Sequence, residues 1–180
     1  MKSKIAETLI ASVGTLVFIA VLLPVFFIWI PQKILSSSSS LYLFDIGVFR
    51  FLGWVPIVLG VVIYFWCSHS FVFFGKGTPI PFTPTKKLVV KGLYGFVRNP
   101  MYIGGLFVLL GEALLFESKA LFIYAGVIFG AFNFFILFFE EPYLGDRFGE
   151  SYERYCKSVG RWIPRLTAYR ENDSESSKRQ

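Results

Sequence analysis

Gly92-Leu93-Tyr94-Gly95-Phe96-Val97-Arg98-Asn99-Pro100-Met101-Tyr102-Ile103-Gly104 joins a basic segment to an apolar one. Before it lie Lys76, Lys86, Lys87 and Lys91 among Gly75, Gly77, Pro79, Pro81 and Pro84; after it the chain is apolar to about residue 116 except for Glu112. Asn99-Pro100 has the chemistry of a helix start, since asparagine suits the N-cap and proline the first helical position. Glu117-Ser118-Lys119 reads as a tight turn, and a second apolar helix over 120–139 ends at Glu140-Glu141, with Pro142 as its stop. The two runs form a helical hairpin. Its ends, Arg98-Asn99-Pro100 and Glu140-Glu141, therefore lie at the same level.

The rest of the chain fits a membrane setting. Of 180 residues 54% are hydrophobic, and the mean hydropathy is +0.59. The apolar residues come in blocks that approach the roughly 20 needed to cross a bilayer. The blocks are continuous rather than alternating, which argues against a β-barrel. The fold class expected is all-α: a polytopic membrane helix bundle of four spans with a C-terminal amphipathic interfacial helix. The net charge of +6 sits in the terminal segments and one loop. That pattern orients a protein in a membrane and does not suggest nucleic acid. Cys67 and Cys156 form no metal or redox motif, and no metal site is expected.

Outward from the hairpin, the first span is expected over 9–30, after Lys2 and Lys4, with Pro24 as a kink and Pro31 just past its end. It is too long for a signal-peptide core and lacks a small-x-small cleavage site, so it is expected to be retained. A polar loop over 32–48 follows, then a second span over 49–74 in which Gly53, Pro56 and Gly60 suggest close helix contact or a kink. Residues 75–97 form a long basic loop of the kind that carries function. Leu144, Phe148, Tyr152, Tyr155 and Val159 recur at helical spacing, so an amphipathic helix is expected over 144–159. Arg161-Trp162-Ile163-Pro164-Arg165 resembles an interfacial anchor. The reading is one membrane domain over 1–167, with its catalytic half over 75–164, and a disordered polar tail over 168–180. Four spans place the three basic segments on one side, so both termini and the site are expected to be cytoplasmic.

Two adjacent carboxylates at the end of an apolar helix call for an explanation. A helix C-terminus already carries partial negative charge, and charges near hydrocarbon cost several kcal/mol unless paired or wet. Glu140-Glu141 is either a solvated stop signal or a pocket for a cation or sugar hydroxyls. Across the hairpin, Arg98 precedes a helix N-terminus that attracts anions; taken alone, Arg98 reads as a snorkelling interface residue. Together the two ends suit a ligand carrying both signs. Glu112 reads as a structural or substrate-tunnel residue, Asn133 as interhelical glue, and His69 as an interfacial or packed residue.

These residues resemble a family. The segment 92–104, then Glu140-Glu141-Pro142, then Phe148-Gly149-Glu150-Ser151-Tyr152-Glu153-Arg154-Tyr155 with Ile163-Pro164, is similar to the isoprenylcysteine carboxyl methyltransferase and phospholipid N-methyltransferase family. The isoprenylcysteine branch usually has Arg-His-Pro-x-Tyr-x-Gly; here Asn99 replaces the histidine, and Asn-Pro-Met-Tyr is also similar to phospholipid methyltransferases. The resemblance implies an integral-membrane enzyme with S-adenosylmethionine as cofactor. It implies that Arg98 and Glu141 carry the catalysis. Glu140 and Glu141 would bind the ribose or the cationic part. Arg98 with Asn99-Pro100 would meet an anion, Tyr102 would line the pocket, Tyr152 and Tyr155 would cover it, and Gly104 would permit close approach. The expected partner is a lipid or lipidated small molecule within the membrane. An isoprenylcysteine-like carboxylate is favoured, since a carboxylate needs no base. A phospholipid amine, which would need a glutamate of the pair or a more distant His69 as base, is the alternative. A sterol-reductase-like enzyme using NADPH would normally need more spans. A non-catalytic membrane scaffold or small transporter subunit is the rival of another class.

Overall fold

Glycines set the tightest interface. In the computed structural model, which describes residues 23–37, 46–70 and 88–169, the described helices are α1 (Val25–Ser37), α2 (Gly47–Ser70), α3 (Pro100–Leu115), α4 (Lys119–Phe148) and α5 (Glu150–Ser158). A Cβ on Gly60 would lie 2.4 Å from the Gly104 carbonyl oxygen, and one on Gly53 would lie 2.5 Å from that of Gly111. The two pairs lie about two helical turns apart on each of α2 and α3, in opposite chain directions, as an antiparallel crossing requires. The backbones touch there, as the glycines of the second span suggested. Small residues permit this close approach where hydrocarbon offers no hydrophobic drive between helices.

The α3–α4 turn is built as the sequence suggests. Ser118 caps α4, its hydroxyl accepting from the Leu121 N–H. Glu117 adopts φ 50° and accepts from the Ile46 N–H at 3.0 Å, which ties the start of α2 to the hairpin. Leu109, Ala125 and Ile128 pack with Phe27 of α1, and the Tyr124 hydroxyl donates to the Phe26 carbonyl. Large apolar side chains such as Phe51, Trp54, Phe65 and Trp66 on α2, and Ile123, Val127, Phe134 and Phe138 on α4, remain exposed. Helices α2 and α4 are long and apolar enough to cross a membrane; α1 and α3 are apolar but shorter. Residues 9–22 of the expected first span, the loop over 71–87 and the tail after 169 lie outside the described residues.

Three helix limits differ from expectation, and prolines and a glycine explain them. The first helix passes Pro31 and runs to Ser37, after a π turn over Val25–Trp29. The fourth passes Pro142 and runs to Phe148, after a π turn over Ile136–Glu140. Proline has no N–H, and its ring crowds the carbonyl one turn back. Widening the preceding turn by one residue relieves that clash, and the Glu141 N–H accordingly donates to the Ile136 carbonyl. Glu140-Glu141 therefore lies inside a helix and not at its C-terminus. The amphipathic helix expected over 144–159 is two pieces: residues up to Phe148 finish α4, and Gly149 at φ 51° turns the chain into α5. After α5 the chain runs antiparallel to the segment before α3 as a strap. Arg98 N–H donates to Gly160 O, Arg165 N–H to Phe96 O and Tyr169 N–H to Gly95 O, at 2.9, 2.9 and 2.8 Å.

Candidate active site

The start of α3, the π turn of α4, α5 and the strap meet at one group of charges. Arg98 Nη1 lies 3.0 Å from Glu141 Oε1. Arg161 grips the same carboxylate with two donors, Nε to Oε1 at 2.8 Å and Nη2 to Oε2 at 2.7 Å. Its hydrogen bonds to Glu141 hold the Arg161 guanidinium above its ordinary proton affinity. The Tyr102 hydroxyl donates to Glu140 Oε2 at 2.7 Å. Neighbouring residues on a helix project about 100° apart, so the two carboxylates take different partners. Around Glu141 there are two positive charges against one negative. Around Glu140 the partner is a neutral hydroxyl. The site carries surplus positive charge on one side and negative charge on the other. The Arg98 Nε is buried and has no hydrogen-bond partner among the described residues.

Of the nine residues expected at the site, the side chains of Arg98, Tyr102, Glu140 and Glu141 are thus brought together. Asn99 is placed differently from its expected capping role. Its side chain makes no cap; Nδ2 donates to the Arg161 carbonyl at 3.3 Å, while its own carbonyl accepts from Ile103 N–H. Pro100 occupies the first turn of α3 as expected. Gly104 is taken up by the crossing with α2, where a Cβ would meet the Gly60 carbonyl and Ile63. Tyr152 and Tyr155 are buried with Val159 and Tyr169. The Tyr155 hydroxyl donates to the Tyr94 carbonyl at 2.7 Å. Burial pushes both hydroxyls far above the usual phenol range, so they remain protonated donors.

Residues 48–151, more than half of the chain, match the family model described as phospholipid methyltransferase. The chain belongs to the phospholipid methyltransferase family. A protein-S-isoprenylcysteine O-methyltransferase from Schizosaccharomyces pombe is 35% identical over 77 residues, which cover 43% of this chain and 33% of that protein. The match therefore spans about a third of that relative's length. No solved structure matches the chain. The expected membership of a membrane methyltransferase family is met.

Two side chains of this methyltransferase-family site escaped sequence reasoning. Cys156, presented by α5, accepts from Arg98 Nη1 at 2.8 Å. Arg161 reads from sequence as part of an interfacial anchor, yet it is the closest partner of Glu141. Neither belongs to the family-matched segment, which ends at 151. The one signal that pointed to Arg161 was indirect: a carboxylate in an apolar helix demands a cation. Trp162 does pack at an interface, but a specific one. Its indole N–H donates to Asn133 Oδ1 at 2.9 Å, and its ring lies 5.1 Å from that of Phe129. Asn133, expected to bond between helices, bonds α4 to the strap, with its Nδ2 on the Phe129 carbonyl. Glu112 Oε2 is buried without a partner among the described residues, at the far end of α3 from Arg98.

Proposed function

We propose that the chain is an integral-membrane methyltransferase that moves the methyl group of S-adenosylmethionine to a lipid-attached or small amphipathic acceptor, a carboxylate being favoured. The observation that carries this reading is the two-signed charge group: Arg98 and Arg161 on Glu141, beside Glu140 on Tyr102. The residues fit the donor's chemistry. It has a carboxylate, for which Arg98, with its unpartnered Nε, provides the donors. It also has an ammonium, a sulfonium and a ribose diol, for which Glu140 is the acceptor. When bound, S-adenosylmethionine supplies an electrophilic methyl group on positively charged sulfur.

The chain's own residues then divide the work. Arg98 and the α3 terminus at Asn99-Pro100 hold an anion, Tyr102 orients Glu140, and Glu141 fixes the two guanidinium groups. Tyr152 and Tyr155 anchor α5 against the site, and Gly104 seats α3 on α2. A carboxylate acceptor is already a nucleophile, so orientation and exclusion of water suffice, and orientation alone supplies several kcal/mol. The engaged state of both glutamates supports this choice: each already accepts hydrogen bonds, whereas an amine acceptor needs a free base. N-methylation of a phospholipid amine is the second reading, favoured by the family model that matches. In this proposal the bundle has four spans, with its termini and site on the cytoplasmic side, the donor arriving from water and the acceptor sideways from lipid.

The test is calorimetry with S-adenosylmethionine on detergent-purified protein, followed by radiolabelled methyl transfer into a prenylcysteine analogue and into lipid extract. Saturable binding that Arg98→Ala abolishes is expected, with label that base treatment releases, since methyl esters are base-labile. Base-stable label would select the N-methyl reading. Absence of saturable binding by the wild type overturns the proposal.

A further inference from the structure

Arg161 has more donors than Glu141 uses. A guanidinium carries five N–H groups, and the carboxylate takes one from Nε and one from Nη2. Three have no partner among the described residues, with Nη1 on the edge turned away from that grip. The bidentate contact fixes the plane of the group, so the remaining donors keep a fixed aim. The side chain is 29% exposed, against 13% for Arg98, so Arg161 is the more reachable of the two. Its backbone is held as well: Asn99 Nδ2 bonds its carbonyl, and Arg98 N–H bonds the carbonyl before it.

The next residue points the other way along α4. Arg161 reaches Glu141, while Trp162 reaches Asn133 and Phe129. From 141 to 133 is about 12 Å of helix rise toward the apolar middle. One dipeptide therefore straddles the boundary between the charged group and the apolar part of α4, where the head of an amphiphile meets its chain.

We infer that Arg161, held by Glu141 and Asn99 and flanked by Trp162, is the specificity-determining residue that recognises an anionic group on the methyl-accepting amphiphile. This rests on the methyltransferase reading above and adds to it the residue that selects the acceptor. The anion is a carboxylate or a phosphate at interface depth, with an apolar chain running past Trp162. Arg98, deeper and closer to the start of α3, remains with the donor.

The experiment uses the full chain in nanodiscs with tritiated S-adenosylmethionine. The acceptors are N-acetyl-S-farnesylcysteine, carrying a carboxylate, and phosphatidylethanolamine vesicles, carrying a phosphate. Arg161→Gln is expected to raise the KM for whichever acceptor the wild type uses by about ten- to a hundredfold, the worth of a charge-assisted hydrogen bond. Donor Kd should change less than about threefold, since Arg98 remains, and retained donor binding also shows that the variant is folded. Arg161→Lys, which keeps the charge but loses the fork, should recover part of the KM. The inference is overturned if Arg161→Gln leaves acceptor KM unchanged, or if both variants shift donor Kd as much as acceptor KM. In either case wild-type transfer still stands and the methyltransferase reading survives. No transfer by the wild type to either acceptor, with no donor binding, overturns both.

Discussion

The Arg161–Glu141 pair allows a quantitative test, because the same chain contains a built-in control. Arg161 and Glu141 have side chains 29% and 19% exposed and meet through two short charge-assisted bonds. Arg154 and Glu150 are the same residue types, but they meet at one 3.2 Å contact with side chains 38% and 87% exposed. An exposed pair is worth about 0.2–1 kcal/mol. Breaking a fully buried pair costs about 3–5 kcal/mol, mostly because a charge is left buried and unpaired. The Arg161–Glu141 pair lies between these limits, so we expect a coupling of about 2 kcal/mol, discounted for the water that reaches Arg161. Glu141 also holds Arg98, so Glu141→Ala alone overstates the pair. A double-mutant cycle with Arg98 intact at all four corners removes that contribution. The assay is reversible unfolding in mixed micelles, followed by circular dichroism, for Arg161→Ala, Glu141→Ala and the double variant. The Arg154/Glu150 cycle, run in parallel, should give about 0.3 kcal/mol. Equal couplings in the two cycles would refute the argument that burial and bidentate geometry decide the strength of this site.

Glycine and proline substitutions test the helix framework. Gly60→Ala and Gly53→Ala place a methyl within 2.4 and 2.5 Å of a facing carbonyl oxygen; each should destabilise by about 1–3 kcal/mol or more. Gly126→Ala and Gly130→Ala meet nothing within 4 Å among the described residues and should be neutral or stabilise by up to about 1 kcal/mol, as read in the same micelle assay. Pro142→Ala restores an N–H and removes the ring that demands the π turn over Ile136–Glu140. Helix content should hold or rise while S-adenosylmethionine binding falls at least tenfold, because an ordinary α turn rotates Glu140 relative to Tyr102 by about one residue, near 100°. Unchanged binding would show that the π turn does not aim the glutamates.

Much of the framework was legible locally. Apolar block lengths placed α2, α3 and α4, Asn99-Pro100 marked the start of α3, and Gly53 and Gly60 announced a backbone-to-backbone crossing. The composition of the hairpin ends was enough to put Arg98 and Tyr102 near Glu140 and Glu141. The prolines misled, because the rule that proline ends a helix omits the alternative of widening the turn before it, which α1 and α4 both adopt. Gly149 was another limit. The apolar period runs through it without a break, and only its positive φ separates α4 from α5.

The amino-acid sequence by itself determined the α3–α4 hairpin and the signs of charge at its ends, since these follow from near-neighbour periodicity, capping and the exclusion of charge from hydrocarbon. Tertiary structure alone decided how those charges are divided. Arg161 is 20 residues from Glu141 and Cys156 is 58 from Arg98, and no local pattern links either pair. A charge in an apolar helix states that it needs a partner. Which partner it takes depends on where the turn at Gly149 and the strap deliver one.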